Sequence, residues 1–233
     1  MKKFPAWILF VCGINLCLAG AVKAAVMAIW DFGPDGAGYT ENVSTEYVNG
    51  IPTLSVAGGE KDINGKDGVG YVDSDGTSHS GGQAAAWDDA SVAAPNPDAS
   101  WTMTIDTTGW QNISIRWDYL SENDVPGDDL GPAIFDFSYR VGSSGSWIKE
   151  LPNELMIRDE LWHEFVFNFA LNGISAIEDK SFVQFMVDDL EHDETGGKFR
   201  FDNLEVTGNA VPEPATVSLL VLGFLIVRRR KTK

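Results

Sequence analysis

The sequence predicts an all-β protein whose strands form an antiparallel β-sandwich. Short runs alternate apolar and polar side chains, which is typical of strands with one buried face and one solvated face. Glycine occurs 24 times, and glycine-rich turn clusters separate these runs. Residues 25–210 show no sustained helical spacing, and their number suits a single domain. Helix is therefore expected to be scarce in this domain.

The predicted strands follow from the alternation. Trp101, Met103 and Ile105 alternate with threonines, so one face of this strand is expected to be buried. Alternation of the same kind recurs in Ile113–Tyr119, Phe135–Val141, Phe165–Leu171 and Val183–Val187. Further strands are predicted at Val26–Phe32, Thr53–Ala57, Val69–Asp73, Gln83–Trp87, Ser146–Glu150 and Lys198–Val206. Only residues 174–179 suggest a single helical turn.

The first 24 residues have the build of a secretory signal peptide with an apolar helix. Lys2 and Lys3 precede the apolar stretch 4–22, and small residues end at Ala24, where cleavage is expected. Both cysteines, Cys12 and Cys17, lie inside this leader. The exported part therefore contains neither a disulfide nor a thiol nucleophile.

The last residues, 211–233, combine a proline pair, an apolar run and a basic cluster. The run 215–227 carries no charge and would rise about 20 Å as a helix, against about 30 Å for the hydrocarbon core of a bilayer. A buried core helix is therefore one interpretation. Pro212 and Pro214 isolate the run from the domain, and Arg228–Lys231 ends it as cationic residues end a membrane segment. We expect a short transmembrane helix.

This tail resembles the PEP-CTERM sorting signal of Gram-negative bacteria that carry an exosortase. The resemblance covers the apolar run with Gly223 and the residues Val211, Pro212, Glu213, Pro214, Arg228, Arg229 and Arg230. It implies export through the inner membrane, transient anchoring by the C-terminus, and cleavage by an exosortase-type membrane protease. It also implies a location at the cell surface or outside the cell. Proteins of this class accompany production of extracellular polysaccharide.

The charge of the exported part narrows its partners. The whole chain has 17 basic and 34 acidic residues; three lysines lie in the leader, and five basic residues and one glutamate lie in the tail. The remaining 9 basic and 33 acidic residues give residues 25–210 a net charge of −24. Such a surface repels nucleic acid and anionic lipid and attracts divalent cations. Solubility outside the cell explains the same charge equally well.

Two segments resemble the jelly-roll domains of galactose-binding and carbohydrate-binding modules. Phe137–Val141 followed by Gly145–Trp147 looks like a strand-turn-Trp hairpin, although its turn departs from the usual Asp-Gly-Gly. Residues 199–206 look like the final strand of such domains, which reads apolar-Asp-Asn-apolar. The resemblance implies a β-sandwich of jelly-roll type. It also implies a structural Ca²⁺ on Asp202, with Asp31 as a second ligand. Alternatively, Asp202 caps a turn or pairs with Arg200 or Lys198.

Tryptophans are candidate ligand-binding residues. Four adjoin predicted turns, where an aromatic ring can stack on a sugar: Trp87, Trp110, Trp147 and Trp162. Core packing is the alternative for each of them, and it is the expectation for Trp101 and Trp117.

Acidic residues cluster at 122–129 and 188–194, both in predicted loops. Paired carboxylates serve glycoside hydrolysis, but no spacing here identifies a pair, and solvated loops explain both clusters. No catalytic residue is assigned. The sequence therefore favours a non-catalytic surface or matrix protein that binds polysaccharide. The alternatives are a secreted carbohydrate-active enzyme that uses loop carboxylates and a purely structural matrix component.

Overall fold

The computed structural model describes residues 24–30, 52–57, 60–61, 68–72, 76, 78–79, 84–88, 100–122, 131–191 and 198–211. Within strands, the side chains of residues 56, 57, 60, 61, 71, 79, 87, 88, 122 and 191 are not described. The predicted leader and tail helices lie outside these ranges. Within them, no helix has the length and apolar character needed to cross a membrane.

Strands account for the regular structure of the described residues. Their bounds are β1 (Ala25–Trp30), β2 (Thr53–Ala57), β3 (Glu60–Lys61), β4 (Tyr71–Val72), β5 (Ser78–His79), β6 (Ala85–Asp88), β7 (Ser100–Ile105), β8 (Trp110–Glu122), β9 (Ile134–Val141), β10 (Ile148–Leu155), β11 (His163–Asn168), β12 (Val183–Glu191) and β13 (Lys198–Ala210). Each predicted strand is present, whereas β3 and β5 were not predicted. The predicted helical turn is wrong, because residues 176–179 form a reverse turn outside any helix.

The strands form two main antiparallel sheets. The first sheet has the order β11-β8-β13-β6-β3, with β1 also paired to β13. The second sheet has the order β10-β9-β12-β7-β2, and β4 and β5 pair separately. From β7 to β13 the chain crosses between the two sheets at every connection except β9–β10, a hairpin within the second sheet, as in a jelly roll. The predicted all-β, antiparallel β-sandwich of jelly-roll type is confirmed.

Aromatic side chains fill the space between the sheets. Trp117 on β8 is 1% exposed, and its ring centroid lies 5.2 Å from that of Trp101 on β7. Phe135 lies 5.8 Å from Trp117, and Phe165 lies 4.1 Å from it. These rings come from strands of both sheets, so they hold the sandwich together. The predicted burial of Trp101 and Trp117 is confirmed.

Strands β12 and β13 each change the face that they bury at a β-bulge. Asp189 has a φ of 56° and Asn203 has a φ of 52°, and each lies where the cross-strand register shifts. Both residues stand in the same local sequence, Asp-(Asp/Asn)-Leu-Glu, and Asp and Asn tolerate this left-handed backbone better than other side chains. The extra residue lets Leu190 and Leu204 point inward after each bulge, where both are buried.

The end of β11 departs from the predicted alternation. The strand ends at Asn168, whose side-chain Oδ1 accepts a hydrogen bond of 2.9 Å from the Leu171 N–H. The chain turns there, so Leu171 is 87% exposed although its position in the pattern predicted burial. Phe169 keeps its predicted place in the core and is fully buried.

Candidate functional site

A line of hydrogen-bonded side chains crosses the outer face of the second sheet. Gln184 on β12 lies opposite Thr104 on β7 and opposite Arg140 on β9, so the three residues share one level of the sheet. Gln184 Nε2 donates to Thr104 Oγ1 at 2.8 Å, and Arg140 Nε donates to Gln184 Oε1 at 2.5 Å. The Arg140 guanidinium lies over the Trp147 ring, 4.5 Å from its centroid. We call these four residues the polar strip.

Trp147, just before β10, adds an aromatic ring at one end of the polar strip. It is half-buried, whereas Val141 and Ile148 pair with the buried Val183 and Tyr139 and so lie on the inner face of the sheet. Gly142 begins the turn with a φ of 81°, a conformation that glycine adopts without strain. The hydrogen-bonding groups of the polar strip therefore continue into the aromatic ring of Trp147. Sugar rings present the same combination of hydroxyl groups and apolar C–H faces.

A carboxylate cluster lies beside the polar strip on the same face. The side chain of Asp136 on β9 is 2% exposed, and its carboxylate contacts the Lys149 Nζ on β10. Its other oxygen accepts a hydrogen bond of 2.7 Å from the Asn153 N–H. Asn153 stands at a bulge of β10 with a φ of 54°, which turns this N–H toward Asp136. These interactions attach the edge strand β10 to β9 beyond the regular ladder.

The protonation behaviour of this pair follows from its surroundings. Burial alone would raise the pKa of Asp136, but the hydrogen bonds from Lys149 and the Asn153 N–H outweigh it and lower that pKa. The hydrogen bond with Asp136 raises the pKa of Lys149 despite partial desolvation. Both groups are therefore held in their charged forms at neutral pH.

Asp188 completes the carboxylate cluster and differs from Asp136. It lies directly opposite Asp136 on β12, and its Oδ1 is buried with no hydrogen-bond partner among the described residues. Burial raises its pKa, and the negative charges of Asp136 and Asp189 raise it further, against the attraction of Lys149. The prediction that residues 188 and 189 belong to a solvated loop is wrong, because both lie on β12 and are partly buried.

Replacing Asp188 should raise stability. A carboxyl group whose folded pKa exceeds its unfolded pKa loses stability as pH rises between the two values. Asp188→Asn removes that loss, so we expect a higher urea midpoint at pH 7. The gain should vanish below the ordinary range of an aspartate, about pH 4. Urea unfolding followed by circular dichroism at both pH values measures this; a lower midpoint at pH 7 would contradict the environment described for Asp188.

Asp202 lies on the outer side of the first sheet and is 1% exposed. Its Oδ2 accepts a hydrogen bond from the Val69 N–H at 2.9 Å, and its Oδ1 accepts one from the Asn203 N–H at 2.8 Å. Asn203 Nδ2 also donates to the Val69 carbonyl at 2.7 Å and to Asp118 Oδ2 at 2.8 Å. These hydrogen bonds therefore fasten residues 68–70 to β13 in the first sheet.

Calcium binding at Asp202 stays a prediction. Asp31, its proposed partner, lies outside the described residues, and within those residues no group of three His, Cys, Asp or Glu side chains forms a metal site. Asp118 lies opposite Asp202, and burial raises its pKa despite the hydrogen bond from Asn203 and the charge of Arg116. The backbone hydrogen bonds of Asp202 account for its burial without an ion.

The candidate tryptophans occupy different surroundings. Trp110 is 6% exposed and packs in the core, which leaves little ring surface for a sugar. Trp162 is half-buried just before β11, at the edge of the first sheet, whereas Trp147 precedes β10 in the second sheet. The side chain of Trp87 is not described. Trp147 contacts the Arg140 guanidinium, which is hydrogen-bonded to the rest of the polar strip.

Sequence reasoning missed three residues of the polar strip, Thr104, Arg140 and Gln184. Each is a polar member of an alternating run, so the sequence does show that its side chain faces outward. Their common level depends on the register between β7, β12 and β9, which no local pattern contains. The two Asp-(Asp/Asn)-Leu-Glu segments were a second available signal, because they mark both bulges.

No protein-family model matches this chain, and no curated protein matches it. Among solved structures, a xylan-binding CBM22-1 domain of Paenibacillus barcinonensis Xyn10C shows 12% identity and a TM-score of 0.38, covering 82% of this chain and 99% of that one. An adhesin domain of Lys-gingipain from Porphyromonas gingivalis shows 9% identity and a TM-score of 0.39, covering 79% of this chain and 98% of that one. A cyclase from Fischerella sp. TAU shows 14% identity and a TM-score of 0.39, covering 84% of this chain and 92% of that one. At these TM-scores the similarities decide neither ligand nor activity.

Proposed function

We propose that this chain is an exported surface or extracellular-matrix protein that binds polysaccharide through the polar strip without catalysing a reaction. The observation that supports this most is the strip itself. Three hydrogen-bonding side chains lie in register across three strands and end at the half-buried ring of Trp147. A rigid sheet face that carries amide, hydroxyl and guanidinium groups beside apolar surface suits an extended chain of sugars.

The electrostatics of this face favour a glycan without negative charge. Asp136 and Asp188 lie beside the strip, and residues 25–210 carry a net charge of −24. A uronic acid polymer would meet repulsion from this surface, whereas neutral or amino sugars would not. Arg140 is already engaged by Gln184 and Trp147, so its charge is not set aside for an anionic ligand.

An enzyme that uses the carboxylate cluster is the second candidate. Asp136 on β9 and Asp188 on β12 are directly opposite each other on neighbouring strands, which brings two carboxyl groups close together. Asp136, however, is 2% exposed and already binds Lys149 and the Asn153 N–H, so a substrate has little access to it. Release of reducing sugar from a bound glycan, abolished by Asp188→Asn, would favour the enzyme over the binding protein.

A glycan array probed with the host-secreted protein tests the binding proposal. We expect binding to neutral or amino-sugar polysaccharides. Trp147→Ala and Gln184→Ala should weaken it tenfold or more, equivalent to about 1.4 kcal/mol, because each removes a ligand contact or the partner that orients Arg140. Trp162→Ala is the matched control and should bind like the parent protein. Equal binding by Trp147→Ala and the parent would refute a site at the strip.

Sorting by an exosortase is tested by intact mass. The PEP-CTERM-like tail at residues 211–233 implies that the tail is removed after export, and the leader implies cleavage after Ala24. Protein secreted by the native host should therefore lack the N-terminal residues up to about Ala24 and the basic cluster Arg228–Lys233. Changing Pro212, Glu213 and Pro214 to alanine should keep the unprocessed chain in the membrane fraction. A secreted protein that retains Lys233 would contradict the proposal.

A further inference from the structure

The carboxylate cluster has a feature that neither fold stability nor sugar binding requires. An amine, a buried carboxyl group and a second carboxyl group lie together on neighbouring strands of the second sheet. Lys149 on β10 contacts Asp136 on β9, and Asp188 on β12 lies opposite Asp136 on its other side. One oxygen of Asp188 is buried with no hydrogen-bond partner among the described residues, which is an unfavourable arrangement for a carboxylate that serves only as a surface charge.

We propose that Lys149 and Asp136 condense into an intramolecular amide between Nζ and Cγ, which joins β10 covalently to β9. The ammonium and the carboxylate are the reactants. Nζ forms a bond to Cγ, one carboxylate oxygen leaves, and the two protons lost from nitrogen depart with that oxygen as one water molecule. The two charges cancel, so the step needs no oxidant, no cofactor and no net proton from solvent.

The cluster supplies each group that this condensation needs. The register of β10 on β9, where Lys149 lies opposite Ser138, places the amine next to Asp136 on the outer face of the sheet. Groups held in this way react at effective concentrations far above those of free molecules, which favours the amide over hydrolysis in water. The Asn153 N–H, 2.7 Å from Asp136 Oδ1, is positioned to stabilise the negative oxygen that forms when Nζ adds to Cγ.

Asp188 has the role of proton carrier. The ion pair is the starting state, and the amine becomes a nucleophile only after it gives up a proton. Asp188 lies opposite Asp136 on the neighbouring strand, and the charges of Asp136 and Lys149 both act on it, so we assign it the transfer of a proton from the amine to the leaving oxygen. Burial raises the pKa of Asp188, which suits a group that alternates between its two protonation states. Because the ion pair favours the charged forms, we expect the amide to accumulate slowly after folding.

A covalent link at this position has a structural consequence. The chain contains only Cys12 and Cys17, both near the N-terminus, so no disulfide can join the strands of the sandwich. Strand β10 lies at the edge of the second sheet and follows directly after Trp147. The amide would fix this edge strand, and with it the hairpin that carries Trp147, against unfolding outside the cell.

Peptide mapping of the folded full-length protein tests the inference. Trypsin cleaves after Arg116, Arg140, Lys149 and Arg158, and it does not cleave after an acylated lysine. We expect a branched peptide in which residues 117–140 are joined to residues 141–158, lighter than their sum by one water molecule. Fragmentation should locate the bond between Asp136 and Lys149, and its fraction should rise on storage at neutral pH.

Three variants separate the bond from the ion pair. Lys149→Arg keeps the cation and Asp136→Ala removes the acyl group, and both should yield only linear peptides. Asp188→Asn should slow formation of the branched peptide at least tenfold. A parent protein that gives only a linear peptide ending at Lys149, even after prolonged storage, overturns the inference. Loss of water within residues 117–140 alone also overturns it, because that product is a cyclic imide of aspartate.

Discussion

Trp117→Ala is expected to lower the free energy of unfolding by about 3–5 kcal/mol, the range for removal of a buried aromatic side chain. Trp117 is 1% exposed and contacts rings from both sheets, including Trp101 at 5.2 Å and Phe165 at 4.1 Å. Its removal therefore leaves a cavity at the centre of the sandwich, which the rigid strands on both sides cannot close. Urea unfolding of the host-secreted protein, followed by circular dichroism, measures the loss.

Val166→Ala is the matched control, because Val166 lies on β11 opposite Arg116, the residue before Trp117, but is 54% exposed. We expect it to change stability by no more than about 0.5 kcal/mol. A loss below about 1 kcal/mol for Trp117→Ala, or losses of similar size for the two variants, would show that the aromatic cluster is not the core of the sandwich.

The strands and the sandwich were predictable because every second side chain of a strand is buried when one of its faces meets the core. Wherever one face of a strand meets the core, as in Trp101, Met103 and Ile105, the apolar residues must alternate with polar ones. The same rule failed where the backbone inserts an extra residue. At Asp189 and Asn203 a left-handed residue shifts the alternation by one, so the residues that follow reverse their faces.

The candidate site was much less predictable than the fold. Trp147 could be singled out because an aromatic residue beside a turn is visible in the sequence. Its neighbours could not, since Arg140 meets Gln184 across 44 positions and Gln184 meets Thr104 across 80. The pairing of strands determines these contacts, and strand pairing depends on the packing of the whole sandwich. The carboxylate cluster has the same origin, because Asp136 and Asp188 become neighbours only when β9 pairs with β12.

Lys149→Met is expected to lower the free energy of unfolding, although Lys149 itself is partly exposed. The Asp136 side chain is 2% exposed and would lose its cationic partner. Removing one member of a fully buried ion pair costs about 3–5 kcal/mol. Because the Lys149 side chain is 49% exposed and water screens its charge, we expect about 2–3 kcal/mol here. The stability of Lys149→Met is compared with that of Lys149→Arg, which keeps the charge. Because neither variant can form the proposed amide, the difference between them reports the ion pair alone.

The pH dependence of this loss has a definite sign. The pKa of Asp136 is lowered in the folded protein, so the pair contributes stability above the unfolded aspartate pKa of about 3.9 and loses it as pH falls through the folded pKa. The difference between Lys149→Met and Lys149→Arg should therefore be largest near neutral pH and should shrink in acid. Adding Asp136→Asn to Lys149→Met should restore more than half of the loss at pH 7, because the amide oxygen still accepts from the Asn153 N–H without carrying a charge. If the double variant is no more stable than Lys149→Met, an uncompensated charge on Asp136 is not the cause of the loss.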